Sequence, residues 1–146
     1  MAAMDQKYTV IIADDHPGIR SGVARILEGS GEFEVVAEAG DGKEALQVVQ
    51  KHLPDLLILD VKLPEMAGPE VAQNLSSSDL PTIILALSSY DVPEFVENMI
   101  ENGAKGYLTK DQAPKWLPVA ALDLLEGRKE LWITEDLQEK TGIDFS

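Results

Sequence analysis

Five polar side chains that could do chemistry each follow an apolar run of the sequence. They are Asp14, Asp15, Asp60, Ser88 and Lys110. Carboxylates held close together raise one another's pKa and cost stability unless a cation neutralises them. Oxygen ligands without Cys or His favour Mg²⁺ over zinc. Beside such a cation a carboxylate can act as a nucleophile toward a phosphoryl group, while an ammonium and a hydroxyl hold the phosphoryl oxygens.

Three short apolar runs are expected to be the strands that position these groups. Residues 10–13, 56–59 and 83–87 are continuously apolar rather than alternating. That pattern is typical of parallel strands whose two faces are both covered by helices. Residues 33–39 and 106–109 carry weaker strand patterns, and we predict that both are edge strands.

Apolar residues at helical spacing predict a helix after each strand. The predicted stretches are residues 19–27, 41–49, 69–75, 92–99 and 117–125. Pro118 would remove a backbone donor inside the last helix, so we expect that helix to begin late, near Trp116, or to be kinked. The alternation of strands and helices predicts an α/β fold, a flavodoxin-like doubly wound (βα)5 sandwich with a parallel sheet in the order 2-1-3-4-5.

This strand order brings the polar strand ends to one edge of the sheet. Ligands of open α/β sheets bind beyond the carboxyl ends of the strands where the order reverses, here between strands one and three. Asp14 and Asp15 follow strand one, and Asp60 follows strand three. Ser88 and Lys110 follow strands four and five. A single Asp at a strand end more often caps a helix, but three carboxylates beside a lysine and a hydroxyl favour a ligand site.

These residues form part of a longer pattern. It consists of Asp14-Asp15, Asp60 with Pro64 and Gly68 after it, Ser88, and residues 106–110 reading Gly-Tyr-Leu-Thr-Lys. The pattern resembles the response-regulator receiver family of two-component systems, over about residues 8–127. Residues 12–23 and Lys110-Asp111 resemble the subfamily that is usually fused to a LuxR-type (NarL/FixJ-like) helix-turn-helix domain.

The resemblance implies how phosphate and metal would be held. Asp60 would be the phosphoacceptor, which takes its phosphoryl group from a sensor histidine kinase. Asp14, Asp15 and Asp60 would bind Mg²⁺ together with the backbone carbonyl of Lys62. Lys110 would contact the phosphoryl group.

The resemblance also implies a switch. Ser88 and Ser89 would lie at the phosphate, and Ser88 would move toward it while the ring of Tyr107 turns inward. That movement would remodel the face made by helix four, strand five and helix five and so control an output, expected to be transcription. The chain would then catalyse only its own phosphorylation and dephosphorylation, so it is not expected to be an enzyme acting on other substrates.

Two other functions fit parts of the pattern. A phosphatase of the haloacid dehalogenase type also uses a strand-end Asp and Mg²⁺, but it needs a second Asp where this chain has Lys62. A pseudo-receiver uses the same fold only for binding, but it normally lacks the acceptor or the acidic pair. Both alternatives are therefore disfavoured by residues that this chain has.

Composition and charge restrict the partners. The net charge of −14 disfavours nucleic-acid binding by this chain, because such binding needs Lys and Arg to displace counterions. The absence of Cys and of a long apolar run predicts a cytoplasmic protein without membrane contact. Residues 128–146 are expected to be an extension or the start of a linker, too short and acidic for a DNA-binding domain. The sequence leaves open whether phosphorylation produces a homodimer.

Overall fold

The computed structural model describes residues 6–143, in which six strands form one sheet. The strands are β1 (Tyr8–Ala13), β2 (Phe33–Ala39), β3 (Leu56–Leu59), β4 (Ile83–Ser88), β5 (Gly106–Thr109) and β6 (Trp132–Ile133). Their order is β2-β1-β3-β4-β5-β6, and every neighbouring pair is parallel. The predicted order of the first five strands is therefore confirmed, and a sixth strand extends the sheet.

Helices connect the strands and cover both faces of the sheet. They are α1 (Pro17–Gly29), α2 (Gly42–His52), α3 (Gly68–Ser77), α4 (Pro93–Glu101), α5 (Ala113–Leu125) and α6 (Glu135–Thr141), with a 3₁₀ turn at Lys110–Gln112. The start of α2 follows its sequence signal, because the side chain of Asp41 accepts a hydrogen bond from the backbone N–H of Glu44. In return, the carboxylate of Glu44 accepts from the N–H of Gly40.

The core consists of two apolar layers, one on each face of the sheet. Helices α1 and α5 cover one face, where Val10, Ile12 and Leu108 are buried. Helices α2, α3, α4 and α6 cover the other face, where Ile11 and Leu57 are buried. Because both faces are covered, the central strands are apolar at consecutive positions.

The C-terminal part of the chain corrects one strand assignment. Residues 106–109 were predicted to be an edge strand, but β6 pairs with β5 through Gly106–Trp132 and Tyr107–Ile133. Strand β5 is therefore internal and fully buried, while the edge prediction for β2 is confirmed. The segment 128–146, predicted to be an extension or the start of a linker, supplies both β6 and α6 within residues 128–143, and residues 144–146 lie outside the described part of the chain.

Helix α5 also differs from the predicted late start. It begins at Ala113 and continues through Pro118. The 3₁₀ turn before it is closed by Thr109 and Gln112, whose side chains each bond to the other end of the turn. This turn leads the chain directly from the end of β5 into α5, which accounts for the early start.

Candidate functional site

Lys110 joins two buried carboxylates at the carboxyl end of the sheet. Its Nζ atom lies 2.7 Å from Oδ2 of Asp14 and 3.0 Å from Oδ2 of Asp60. Asp14 and Asp60 follow adjacent strands β1 and β3, and both are almost fully buried. The structure thus brings together three of the residues that the sequence placed at the strand ends.

Asp15 and His16 continue the site toward solvent. The side chain of Asp15 is 37% exposed, against 4% for Asp14. Nδ1 of His16 lies 2.9 Å from Oδ1 of Asp15 and 3.1 Å from Oδ1 of Asp14. These three side chains could jointly hold a metal ion. His16 precedes the first residue of α1, and its side chain is exposed although it contacts both carboxylates.

Arg20 holds the backbone that carries the acidic pair. Its Nη1 atom donates to the carbonyl of Asp14 at 2.6 Å, and its Nε atom donates to Glu38 at 2.9 Å. The carbonyl of Ala39 accepts from the N–H of Asp14, which ties the same residue to β2. The sequence does not predict Arg20 as a site residue. Its position one turn into α1 is the only feature that relates it to the acidic pair.

The backbone after β3 aims Asp60 into this cluster. The N–H of Asp60 donates to the carbonyl of Ala13, and the N–H of Lys62 donates to Oδ1 of Asp60 at 3.4 Å. Gly68 lies against this turn, because a Cβ atom there would be 2.3 Å from the carbonyl oxygen of Asp60. A glycine eight residues after the Asp is thus required for the close approach of α3.

Burial dominates the electrostatics of the site. It raises the pKa of Asp60 to about 6, although Lys110 opposes the rise, and the charge of Asp14 adds to it. Burial also opposes ionisation of Asp14, but bonds from Lys110 and the N–H of His16 outweigh it and hold the pKa of Asp14 below its usual value. Burial would lower the pKa of Lys110, but the two carboxylates raise it. The cluster therefore has an excess of negative charge that one ammonium does not balance.

The loop after β4 carries the two hydroxyl residues. Ser88 is fully buried, and its Oγ atom accepts from the N–H of Tyr90 at 3.1 Å. Ser89 is exposed. Tyr107 is also fully buried and donates its hydroxyl to the carbonyl of Tyr90 at 2.6 Å. Burial raises the pKa of Tyr107 to about 12, so its hydroxyl stays a donor at neutral pH. The ring expected to turn inward already lies inward.

The side chain of Lys62 lies over two aromatic rings. Its Nζ atom lies 4.5 Å from the ring centre of Tyr90 and 5.5 Å from that of Phe95, and the two rings meet edge to face. Beside them is an open cavity of about 530 Å³ whose lining includes Asp15, Lys62 and Pro64. The predicted metal-binding role of the Lys62 carbonyl stays a prediction.

Comparison with known proteins assigns this arrangement to a family. The family model for the response regulator receiver domain matches residues 10–121, which include Asp14, Asp60, Ser88 and Lys110. The chain belongs to the response-regulator receiver family. This receiver domain is 42% identical over 123 residues to the probable transcriptional regulatory protein NarL of Mycobacterium tuberculosis, a match covering 84% of this chain and 57% of the relative. It is 37% identical to the transcriptional regulatory protein DegU of Brevibacillus brevis, over 97% of this chain and 66% of that protein.

Solved structures agree with the same assignment. The signal receiver domain of the Mycobacterium tuberculosis NarL has a TM-score of 0.81 at 42% identity, covering 84% of this chain and 99% of that one. A LuxR-family two-component response regulator from Aurantimonas sp. SI85-9A1 has a TM-score of 0.86 at 30% identity, covering 94% and 96%. The chain is thus the receiver domain of a LuxR-family two-component response regulator. It spans between a half and two thirds of the curated relatives named above.

Among residues 6–143, no helix combines the length and the apolar character that crossing a bilayer requires.

Proposed function

We propose that the chain is a phosphorylation switch in which Asp60 accepts a phosphoryl group from a sensor histidine kinase in a Mg²⁺-dependent reaction. The observation that carries this proposal is the position of Asp60, a buried carboxylate held 3.0 Å from the ammonium of Lys110 beside a second acidic residue. A carboxylate with a raised pKa and an adjacent cation suits a nucleophile that must receive an anionic group.

The donor set supports Mg²⁺ as the cofactor. Asp14, Asp15 and Asp60 supply hard oxygen ligands, and the Lys62 carbonyl is the proposed fourth. The excess negative charge around Lys110 gives a physical reason for a divalent cation here. When bound, Mg²⁺ would neutralise charge on the carboxylates and on the incoming phosphoryl oxygens.

The chemical step needs few groups from the chain. A carboxylate oxygen of Asp60 forms a bond to phosphorus, the bond between phosphorus and the kinase histidine nitrogen breaks, and its electron pair stays on the imidazole. The product is an acyl phosphate on Asp60. The Lys110 ammonium moves from the carboxylate to a phosphoryl oxygen, and the Ser88 hydroxyl donates to another. Water later hydrolyses the acyl phosphate, so the chain acts only on itself.

The output of this switch is proposed to lie outside the chain. The curated relatives are transcriptional regulators, and each is longer than this chain. We propose that phosphorylation acts through the face of α4, β5 and α5 to control a LuxR-type helix-turn-helix domain in the cytoplasm. Homodimer formation on phosphorylation is part of this proposal, whereas this acidic chain itself contacts no DNA and no membrane.

Intact-mass measurement after incubation with acetyl phosphate and Mg²⁺ tests the proposal. The native chain is expected to gain one phosphoryl group, and EDTA or Asp60→Asn is expected to abolish the gain. Asp79→Asn makes the same chemical change at an exposed position and should leave the gain intact. Failure of the native chain to gain mass from acetyl phosphate or from a phosphorylated kinase would instead support a pseudo-receiver that only binds.

A further inference from the structure

The turn between β2 and α2, residues 39–42, touches both loops that carry the acidic side chains. The carbonyl of Ala39 accepts a hydrogen bond from the N–H of Asp14 at 3.0 Å. The N–H of Gly42 donates to the carbonyl of Pro64 at 3.0 Å, four residues after Asp60. The turn supplies none of the proposed metal ligands. It is nevertheless placed to set the position of one ligand loop against the other.

Gly42 allows the loop after β3 to come this close. A Cβ atom at Gly42 would overlap the carbonyl group of Met66, whose carbon atom would be 2.7 Å away. The φ angle of Gly42 is not positive, so the position requires space and not an unusual backbone conformation. Gly42 is the first residue of α2, and an N–H at that place has no partner inside its own helix. It can therefore bond to the loop without weakening α2.

The turn is held in place from the side of α2. The carboxylate of Asp41 accepts from the N–H of Glu44, and the carboxylate of Glu44 accepts from the N–H of Gly40, both at 2.8 Å. This reciprocal capping fixes residues 40–42 without help from the loops that carry the ligands. The N–H that bonds to the loop is thus presented by a rigid support.

The loop that Gly42 contacts contains a strained turn. Glu65 has a φ angle of +69°, a region that residues with a Cβ atom rarely adopt. The N–H of Met66 donates to the carbonyl of Pro64 at 2.7 Å, which closes a three-residue turn around Glu65. Three-residue turns with a positive φ at the centre are rare and strained. Such a conformation persists only where the surrounding structure holds it, and Gly42 bonds to the same Pro64 carbonyl.

We propose that Gly42 is a positioning residue for the phosphorylation site: it holds the strained turn at Glu65 and thereby fixes the backbone that carries the Lys62 carbonyl toward Mg²⁺. The inference rests on the proposed function above. The other end of the same loop is fixed by Gly68, whose N–H donates to the carbonyl of Val61 at 2.8 Å. Lys62 lies between these two attachments, so loss of the Gly42 contact should lower the affinity for Mg²⁺.

Isothermal titration calorimetry with Mg²⁺ tests this role. Gly42→Ala should bind Mg²⁺ about tenfold more weakly than the native chain, an effect that loss of a residue supporting a metal ligand commonly has. Gly29→Ala makes the same change in α1, where a Cβ atom meets nothing within 4 Å, and should keep the native affinity. Adding Glu65→Gly to Gly42→Ala should recover about threefold or more, because glycine adopts a positive φ without strain. Adding Asp79→Gly, which relieves a φ of +57° at an exposed position, should recover nothing.

Urea unfolding in EDTA shows whether Gly42→Ala folds. If it does not, Asp41→Ala takes its place, because loss of this cap loosens the turn and should weaken Mg²⁺ binding about threefold. Thr134→Ala is the matched control. It removes the corresponding cap of α6, where the Thr134 hydroxyl accepts from the N–H of Leu137, and should keep the native affinity.

The outcomes separate this role from the proposed function. Native Mg²⁺ affinity in the folded Gly42→Ala chain, or in Asp41→Ala where that variant replaces it, overturns the positioning role. An equal loss in the matched control overturns it too, as does equal recovery with Glu65→Gly and Asp79→Gly. In each of these cases the native chain still gains a phosphoryl group from acetyl phosphate, so the proposed function stands. A native chain that neither binds Mg²⁺ nor gains that group overturns the proposed function and this inference with it.

Discussion

Replacing Asp60 with Asn removes a buried carboxylate that the folded chain has difficulty keeping ionised. Burial raises the pKa of Asp60 from 3.8 to about 6, and Asp14 adds to the rise. Keeping Asp60 charged at neutral pH without a metal therefore costs about 3 kcal/mol of stability. Asn avoids this cost but is a weaker acceptor for the hydrogen bond from Lys110, which offsets part of the gain. We therefore expect Asp60→Asn to raise the free energy of unfolding by about 1–2 kcal/mol.

The pH dependence identifies the cause of this gain. Because the pKa of Asp60 is raised on folding, the folded state binds the extra proton between about pH 4 and pH 6, and stability falls as pH rises through that window. The gain from Asp60→Asn should therefore be full at about pH 7 and should largely vanish near pH 4. Asp14 has the opposite effect, because its pKa is lowered on folding. Its contribution to stability is lost as pH falls into the more acidic range.

Urea unfolding of the native chain and Asp60→Asn in EDTA measures the difference directly, and Asp79→Asn is the control at an exposed position. Mg²⁺ should stabilise the native chain far more than Asp60→Asn and so reduce the difference at neutral pH. An Asp60→Asn chain that is less stable than the native chain at neutral pH in EDTA, or a difference that does not depend on pH, would refute the electrostatic reasoning.

Three further substitutions probe the groups around Asp60. Lys110→Gln leaves Asp14 and Asp60 without their shared ammonium. Unfolding in EDTA should show a free energy of unfolding that is lower by about 3 kcal/mol at neutral pH, and the difference should shrink at lower pH as Asp60 is protonated. Gly68→Ala puts a Cβ atom 2.3 Å from the Asp60 carbonyl and should cost about 1–3 kcal/mol in thermal unfolding and slow phosphorylation; an unchanged Tm would contradict this. Arg20→Ala frees the Asp14 carbonyl and should weaken Mg²⁺ binding about tenfold in calorimetry, and an effect no larger than that of an exposed α1 arginine would contradict this.

The strands and most helices were predictable because their signals are local. A strand buried on both faces must be apolar at consecutive positions, as residues 56–59 show. Strand β6 contains only Trp132 and Ile133, too few for a pattern, and it is held by pairing with β5. Without β6, the order of the first five strands places β5 at the edge of the sheet. Helix α6 has one fully buried apolar residue, Leu137, and so lacked an amphipathic stripe.

Site residues whose positions follow from the strand order could be predicted from the sequence. Contacts that depend on side-chain rotamers and on helix packing could not. Asp14, Asp60 and Lys110 follow neighbouring strands, so topology alone brings them to one edge. That Lys110 bridges both carboxylates depends on its rotamer and on their burial. The bond from Arg20 to the Asp14 carbonyl depends on the packing of α1, for which the sequence carries no local signal.

The central claim is that Asp60 itself carries the phosphoryl group. Reduction of the phosphorylated chain with borohydride converts an aspartyl phosphate to homoserine, and peptide mass analysis then locates the change. The account predicts homoserine at position 60, dependent on Mg²⁺ and absent from Asp60→Asn. Homoserine at position 14 or 15, or a phosphoryl group on a hydroxyl residue, with Asp60 unmodified, would contradict it.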